Sequence, residues 1–203
     1  MNPRSTRVLM ILVVAIAAVT GFWLAHRLDH SIPVLSSGTW LPRPRDPGDF
    51  SLLDQNSAQF TAARLKGAPT LVYFGYTHCP DVCPVTLLQL AQVVKTGVVP
   101  GLRVIFISVD PARDTPPQLA QYVHAFDPDF IGLTGSAAML QTVAQRFGVA
   151  YQRVDLPGGD YSMDHSSTIF LMDAQGHNVA VFNAPYDVKS LTQDLRLAAG
   201  DLG

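Results

Sequence analysis

Sulfur is scarce in this chain: two cysteines in 203 residues, Cys79 and Cys83. A separate structural disulfide is therefore excluded, and any chemistry that needs sulfur must use this pair. Lysine is nearly as rare, with three residues, and the formal net charge is −2. There is no basic stripe and no interleaving of aromatic with positive residues, so nucleic acid is excluded as a partner class. An internal repeat and a second linker are absent too, which leaves a single globular domain to be placed.

What is present begins with an apolar run. Val8 to Ala25 carries no charge and is flanked by Arg4 and Arg7 before it and by His26 and Arg27 after it. Its length suits a membrane span. The competing reading is a cleaved signal peptide, because Ala15-Ile16-Ala17 resembles a small-residue cleavage site. The run continues past that point through Val19, Phe22, Trp23 and Leu24, and Trp23 suits the interface of an uncleaved anchor. The excess of positive charge before the run places residues 1–7 in the cytoplasm and the rest across the membrane, where thiols can be oxidised. Residues 26–47 contain Pro33, Pro42, Pro44 and Pro47 with Ser36, Ser37 and Gly38, and show no apolar period. They read as a tether with a reach of up to roughly 60 Å. Residues 48–203 remain, enough for one domain with a proper core.

Within that domain the patterns alternate. Asp49 to Leu53 and the polar run Asp54 to Ser57 predict an edge hairpin. Thr70 to Phe74 is β-branched and aromatic without polar alternation, as expected of a strand covered on both faces. It leads straight into Phe74-Gly75-Tyr76-Thr77-His78-Cys79-Pro80-Asp81-Val82-Cys83-Pro84. Pro84 suits the first turn of a helix, and Leu87, Leu88, Ala91 and Val94 continue at helical spacing towards Gly97. Leu102 to Val109 predicts the next buried strand, and Thr115-Pro116-Pro117-Gln118 a capping box opening a helix to Phe126. Phe130 to Thr134 predicts a short strand, and Ser136 caps a helix ending at Gly148. Tyr151 to Asp155 predicts a strand and Leu156 to Asp164 a loop. A hairpin of Ser167 to Asp173 with Asn178 to Asn183 follows, then a last helix capped by Asp187. This order predicts an α/β fold, a thioredoxin-like mixed sheet with flanking helices, parallel central strands and one antiparallel edge. The reactive site of such a sheet belongs at the carboxyl end of its strands, where the cysteine loop emerges.

The spacing C-x3-C at a helix start puts both sulfurs on one face, with Cβ atoms roughly 5–6 Å apart. Such a pair can close a strained disulfide or hold a metal ion. A helix N-terminus favours thiolate, which serves both chemistries. Soft sulfur selects Cu(I) or zinc, and two thiolates need a third ligand. His26 and His30 lie beside the membrane, His124 falls in a helix, and His177 in a turn. His78 is adjacent to Cys79, but neighbouring side chains diverge. His165, in Met163-Asp164-His165-Ser166-Ser167, leads into a strand that faces the cysteine loop. From spacing alone it is either a ligand or a hydrogen-bonded loop histidine. Asp81, Asp110 and Asp164 are either supports for the site or caps and solvated carboxylates, and Met163 either a weak thioether contact or a packing residue.

The strings FGYTHCPDVCP, SVDPARDTP at Ser108 to Pro116 and DHSS at Asp164 to Ser167, in this order behind one anchor, resemble the SCO/SenC copper chaperones. The resemblance covers the domain from Asp49 onward. Val85 and Phe170 depart from the family's usual threonine and tyrosine. What the resemblance implies is a thioredoxin-like domain on the outer face of the bacterial cytoplasmic membrane, facing the periplasm on a single-pass anchor. It would bind one copper ion, Cu(I) or Cu(II), through Cys79, Cys83 and His165. It would take copper from an upstream donor protein and deliver it to the copper-bearing subunit of cytochrome c oxidase, acting as a chaperone and not as an enzyme. The rival expectation is a thiol-disulfide reductase using the redox pair Cys79 and Cys83 to keep that subunit's cysteines reduced. A peroxidase is a third reading, for which the paired cysteines give no reason.

Overall fold

The computed structural model describes residues 3–28 and 33–202, with side chains for 10–23 and 33–202 apart from 201. The chain divides into two units, Met1–Val34 and Leu35–Gly203. The first holds α1 (Pro3–Leu28). Met10, Ile11, Val14, Ile16, Val19, Phe22 and Trp23 are all exposed. Thr20 hides its hydroxyl by bonding back to the carbonyls of Ile16 (2.8 Å) and Ala17 (3.1 Å), as polar side chains in apolar helices do. The expected span Val8 to Ala25 lies partly outside the described side chains, and among the described residues no helix is long and apolar enough to cross a membrane.

The second unit is built on an eight-stranded sheet. Its strands are β1 (Gly38–Arg45), β2 (Ser51–Asp54), β3 (Gln59–Thr61), β4 (Thr70–Gly75), β5 (Arg103–Ser108), β6 (Ile131–Thr134), β9 (Ile169–Met172) and β10 (Asn178–Phe182). A separate two-stranded ribbon joins β7 (Tyr151–Asp155) to β8 (Tyr161–His165). The large sheet runs β1-β10-β9-β4-β5-β6-β2-β3. Every residue of β4 is buried, which explains its unbroken apolar run. It pairs in parallel with β5 and antiparallel with β9, and β5 pairs in parallel with β6. The parallel centre is as expected, but antiparallel strands flank it on both sides. The predicted hairpin β2–β3 pairs with β6 and so adds a second antiparallel edge.

Four helices pack on this sheet: α2 (Val82–Lys95), α3 (Pro116–His124), α4 (Ala137–Phe147) and α5 (Val188–Ala198). Their ends follow the signals in the sequence. Thr115 and Gln118 form the capping box of α3, Ser136 Oγ accepts from the Met139 amide, and Asp187 accepts from the Lys189 and Ser190 amides. Gly148 ends α4 at φ 72°, the left-handed conformation that favours glycine. Towards the sheet α2 buries Leu87, Leu90, Ala91 and Val93 together with Cys83.

Two expectations need correction. The tether does not extend to residue 47, because Gly38–Arg45 is an edge strand paired with β10. Its register breaks between Trp40 and Arg45, the stretch that holds Pro42 and Pro44, and prolines are tolerated only where no ladder N–H is required. The supposed loop Leu156 to Asp164 contains most of β8. A turn closed by the Leu156 amide on the Asp160 carbonyl (2.8 Å) returns the chain against β7.

The lead into β1 is fastened by a buried charge. Asp194 of α5 accepts five hydrogen bonds of 2.7–3.0 Å, from the amide and hydroxyl of both Ser36 and Ser37 and from the Gly38 amide. Burial pushes this carboxyl up, but the Ser36 and Ser37 bonds outweigh it and hold the group below the usual range. A depressed folded-state value stabilises above the unfolded value of about 3.9 and loses that contribution as pH falls through the folded value. Asp194→Ala is expected to cost about 2–4 kcal/mol at neutral pH, by leaving buried donors unpaired. In urea unfolding the gap from the parent protein should narrow below about pH 4. An undiminished gap at pH 3 would contradict the assignment.

Candidate metal centre

The site is made where β4 stops. Gly75 is its last residue, and a Cβ there would sit 2.8 Å from Cys83 Sγ and 2.7 Å from the Phe106 ring. Only glycine leaves room for the sulfur behind the strand. The chain then turns through Thr77, whose amide (3.0 Å) and hydroxyl (2.6 Å) both donate to Asp114. Asp114 is fully buried and also accepts from Ser108 Oγ at 2.6 Å, so the end of β5 and the cysteine loop share one carboxylate. The loop next forms the first turn of α2, with Asp81 as the residue before the helix and Cys83 inside it.

The two sulfurs have different surroundings. Cys83 is fully buried, whereas Cys79 is half-buried. The Cys83 amide, in the first turn of α2, donates to Cys79 Sγ at 3.4 Å. The Cys83 thiol, His165 and the amides of Cys83 and Asp81 together hold the Cys79 thiol far below its ordinary range, against the pull of burial. Cys83 moves the opposite way, because the neighbouring Cys79 sulfur and burial both disfavour a second charge. Of the pair, Cys79 is therefore the sulfur favoured as thiolate and Cys83 the one favoured to keep its proton.

His165 ends β8 and completes the cluster. Its Nε2 lies 3.4 Å from Cys83 Sγ, although 82 positions separate them in sequence. Its Nδ1 lies 3.1 Å from the Ser166 carbonyl, a contact that orients the ring and turns Nε2 towards the sulfurs. The rings of Tyr73 and Tyr76 stand edge-on to the imidazole with centroids 6.1 and 6.0 Å away. All three ligand atoms fall within 4.8 Å of one another. Metal–thiolate bonds of about 2.3 Å at trigonal angles need sulfurs on the order of 4 Å apart, so a metal ion fits with small side-chain adjustments. Two sulfurs and one imidazole form a soft donor set suited to copper or zinc, and three ligands leave a coordination position open.

The other candidates stand apart from this cluster. His78 is exposed and contacts Thr77 Oγ1 and the edge of Asp114. His124 meets Gln55, and His177 pairs with Asp173. The side chains of His26 and His30 lie outside the described residues. Asp164 is exposed, Met163 packs against the core, and Asp110 is buried against Tyr161 and Arg113. Two further residues join the site with no signal in the local sequence: Tyr73, whose hydroxyl lies 3.9 Å from Cys83 Sγ, and Asp114, which braces the cysteine loop. Asp114 stood within the motif Ser108 to Pro116, but only the fold shows which loop it holds.

The chain is similar to known proteins over most of its length. The SCO1/SenC family profile matches residues 42–200. The SCO2-like protein of Rickettsia conorii is 40% identical over 157 residues, covering 73% of this chain and 75% of that protein. The copper-bound crystal structure of ScoI from Arabidopsis thaliana superposes with a TM-score of 0.72 at 38% identity, covering 75% of this chain and 98% of the other. Copper-bound ScoI from Bradyrhizobium japonicum gives a TM-score of 0.65 at 42% identity, covering 76% and 96%.

The asymmetry of the pair predicts its reactivity. With the reduced protein and limiting iodoacetamide between pH 5 and 6, peptide mapping should find the label on Cys79. An ordinary thiol would slow about tenfold per pH unit there, whereas Cys79 should barely slow. Equal labelling of the two residues, or Cys83 first, would contradict the assignment.

Proposed function

This chain belongs to the SCO1/SenC family, and on that footing we propose that it is a copper metallochaperone. It carries one copper ion on Cys79, Cys83 and His165 and delivers it to a copper centre of cytochrome c oxidase. The observation that carries this reading is the convergence of Cys79, Cys83 and His165, with Nε2 held 3.4 Å from Cys83 Sγ and the three ligand atoms within 4.8 Å of one another. The copper-bound relatives support it with the same fold. Reduced sulfur ligands favour Cu(I). Copper is cargo here, so the protein is a carrier and not an enzyme. The half-exposed Cys79 is the side from which an acceptor's ligands reach the metal.

Delivery also needs a location. We read the uncharged run Val8 to Ala25 as a single-pass anchor, on the strength of its apolar composition and of Arg4 and Arg7 before it. The domain then faces the periplasm from the bacterial cytoplasmic membrane, within reach of an upstream copper donor and of a membrane-bound oxidase subunit.

The contrast between Cys79 and Cys83 also favours a second role, reduction of the oxidase subunit's cysteines. The Cys79 thiolate would attack a partner disulfide, and Cys83 would then resolve the mixed disulfide. Two electrons pass to the partner and a Cys79–Cys83 disulfide remains. That role does not need His165.

Two outcomes test the carrier reading. In competition with a Cu(I) chelator the reduced full chain in detergent should hold about one copper, and His165→Ala should weaken binding about tenfold to a hundredfold. Binding should also weaken about tenfold for each pH unit lowered through the neutral range, since copper must displace the proton that Cys83 keeps. Equal affinity for His165→Ala would refute the ligand set. In an oxidase-assembly assay, loss of function in both His165→Ala and Cys79→Ser supports copper delivery. Survival of function in His165→Ala alone supports exchange.

A further inference from the structure

Among the described residues no backbone ladder joins the β7–β8 ribbon to the main sheet, yet this ribbon carries His165 at its end. A cluster of side chains grips its other end. Asp110, just past β5, accepts from the Tyr161 hydroxyl at 2.9 Å and from Arg113 Nε at 2.5 Å. Arg113 Nη1 donates to the Tyr161 carbonyl at 3.0 Å and to Asp160 at 3.3 Å. Tyr161 is therefore held by hydroxyl and carbonyl at once, and two guanidinium groups stack on its ring, Arg113 at 3.6 Å and Arg153 at 3.8 Å from the centroid.

The cluster also reaches the cysteine side. Arg113 lies 5.7 Å from the Tyr76 ring, whose edge-on partner is His165. One arginine thus touches both the loop that bears the cysteines and the ribbon that bears the histidine. Asp110 and Arg113 are only 3% and 18% exposed, so their charge-assisted bonds are shielded from water and fix a geometry. A histidine at the end of a free ribbon would swing, and the third ligand would be lost to the pair.

We infer that Asp110, Arg113 and Tyr161 form a clamp that sets His165 against Cys79 and Cys83, and through it the affinity for copper. None of the three touches the ligand atoms, so they are positioning residues. The inference rests on the copper reading above and adds residues to it. Tyr161→Phe removes one hydroxyl and keeps the stacked ring, and Asp110→Asn removes the charge at nearly constant volume.

A double-mutant cycle on the full chain in detergent, read by Cu(I) chelator competition, tests the clamp. Each substitution is expected to weaken copper binding about tenfold when His165 is present. In the His165→Ala background the same substitutions should change affinity by less than about twofold, because their effect has no other route. Urea unfolding of the metal-free variants separates stability from affinity. Unchanged affinity in both single variants would overturn the clamp, as would an equal loss with and without His165. A parent chain that holds no copper would instead overturn the ligand set and take the clamp with it. Should Asp110→Asn fail to fold, Tyr161→Phe carries the test alone.

Discussion

The site depends on the contact between Gly75 and the Cys83 sulfur. A strand buried along its whole length must end, and here it ends at the one residue type that lets a helix N-terminus press a sulfur against the strand. Burial of Cys83 follows from that contact, and so does the difference between the two cysteines. The buried sulfur keeps its proton, while the outer one collects backbone N–H donors and becomes the thiolate. Neither cysteine alone would have this character. Their four-residue spacing makes one the environment of the other.

The histidine obeys a different constraint. Cys79 and Cys83 are fixed by the sheet and α2, whereas His165 sits on a ribbon outside the sheet. Side chains do for this ribbon what the ladder does for β4. Asp114 braces the cysteine loop and Asp110 grips the ribbon, so two carboxylates four residues apart serve the two halves of one site. Both emerge at the end of β5, beside the strand that delivers the cysteines. A carrier must bind its cargo and then let it go. A ligand mounted on a separate ribbon suits release better than one built into the sheet.

Much of this was legible in the sequence, and the failures have physical causes. With two cysteines in the chain, the pair could not be overlooked, and β4, the capping box at Thr115 and the left-handed Gly148 follow from local rules. Spacing alone left His165 open and only the family resemblance made it a ligand, because its approach to Cys83 depends on a long-range turn of chain. The strand Gly38–Arg45 was hidden by Pro42 and Pro44, which look like tether yet occupy a sheet edge that asks for no N–H. The strand Tyr161–His165 was hidden by Gly158 and Gly159 and by side chains that bury only partly. Asp110 could be read as a support or a cap with no means of choosing, and the bracing by Asp114 is invisible without the fold, since a buried aspartate and a solvated one read alike.

The account stands on a copper ion held by two sulfurs and one imidazole nitrogen. X-ray absorption on the copper-loaded, reduced full chain tests that directly. The predicted result is a three-coordinate Cu(I) with two sulfur neighbours and one histidine nitrogen, the nitrogen signal vanishing in His165→Ala. A parent protein with only sulfur neighbours, or a His165→Ala protein with an unchanged spectrum, would contradict it.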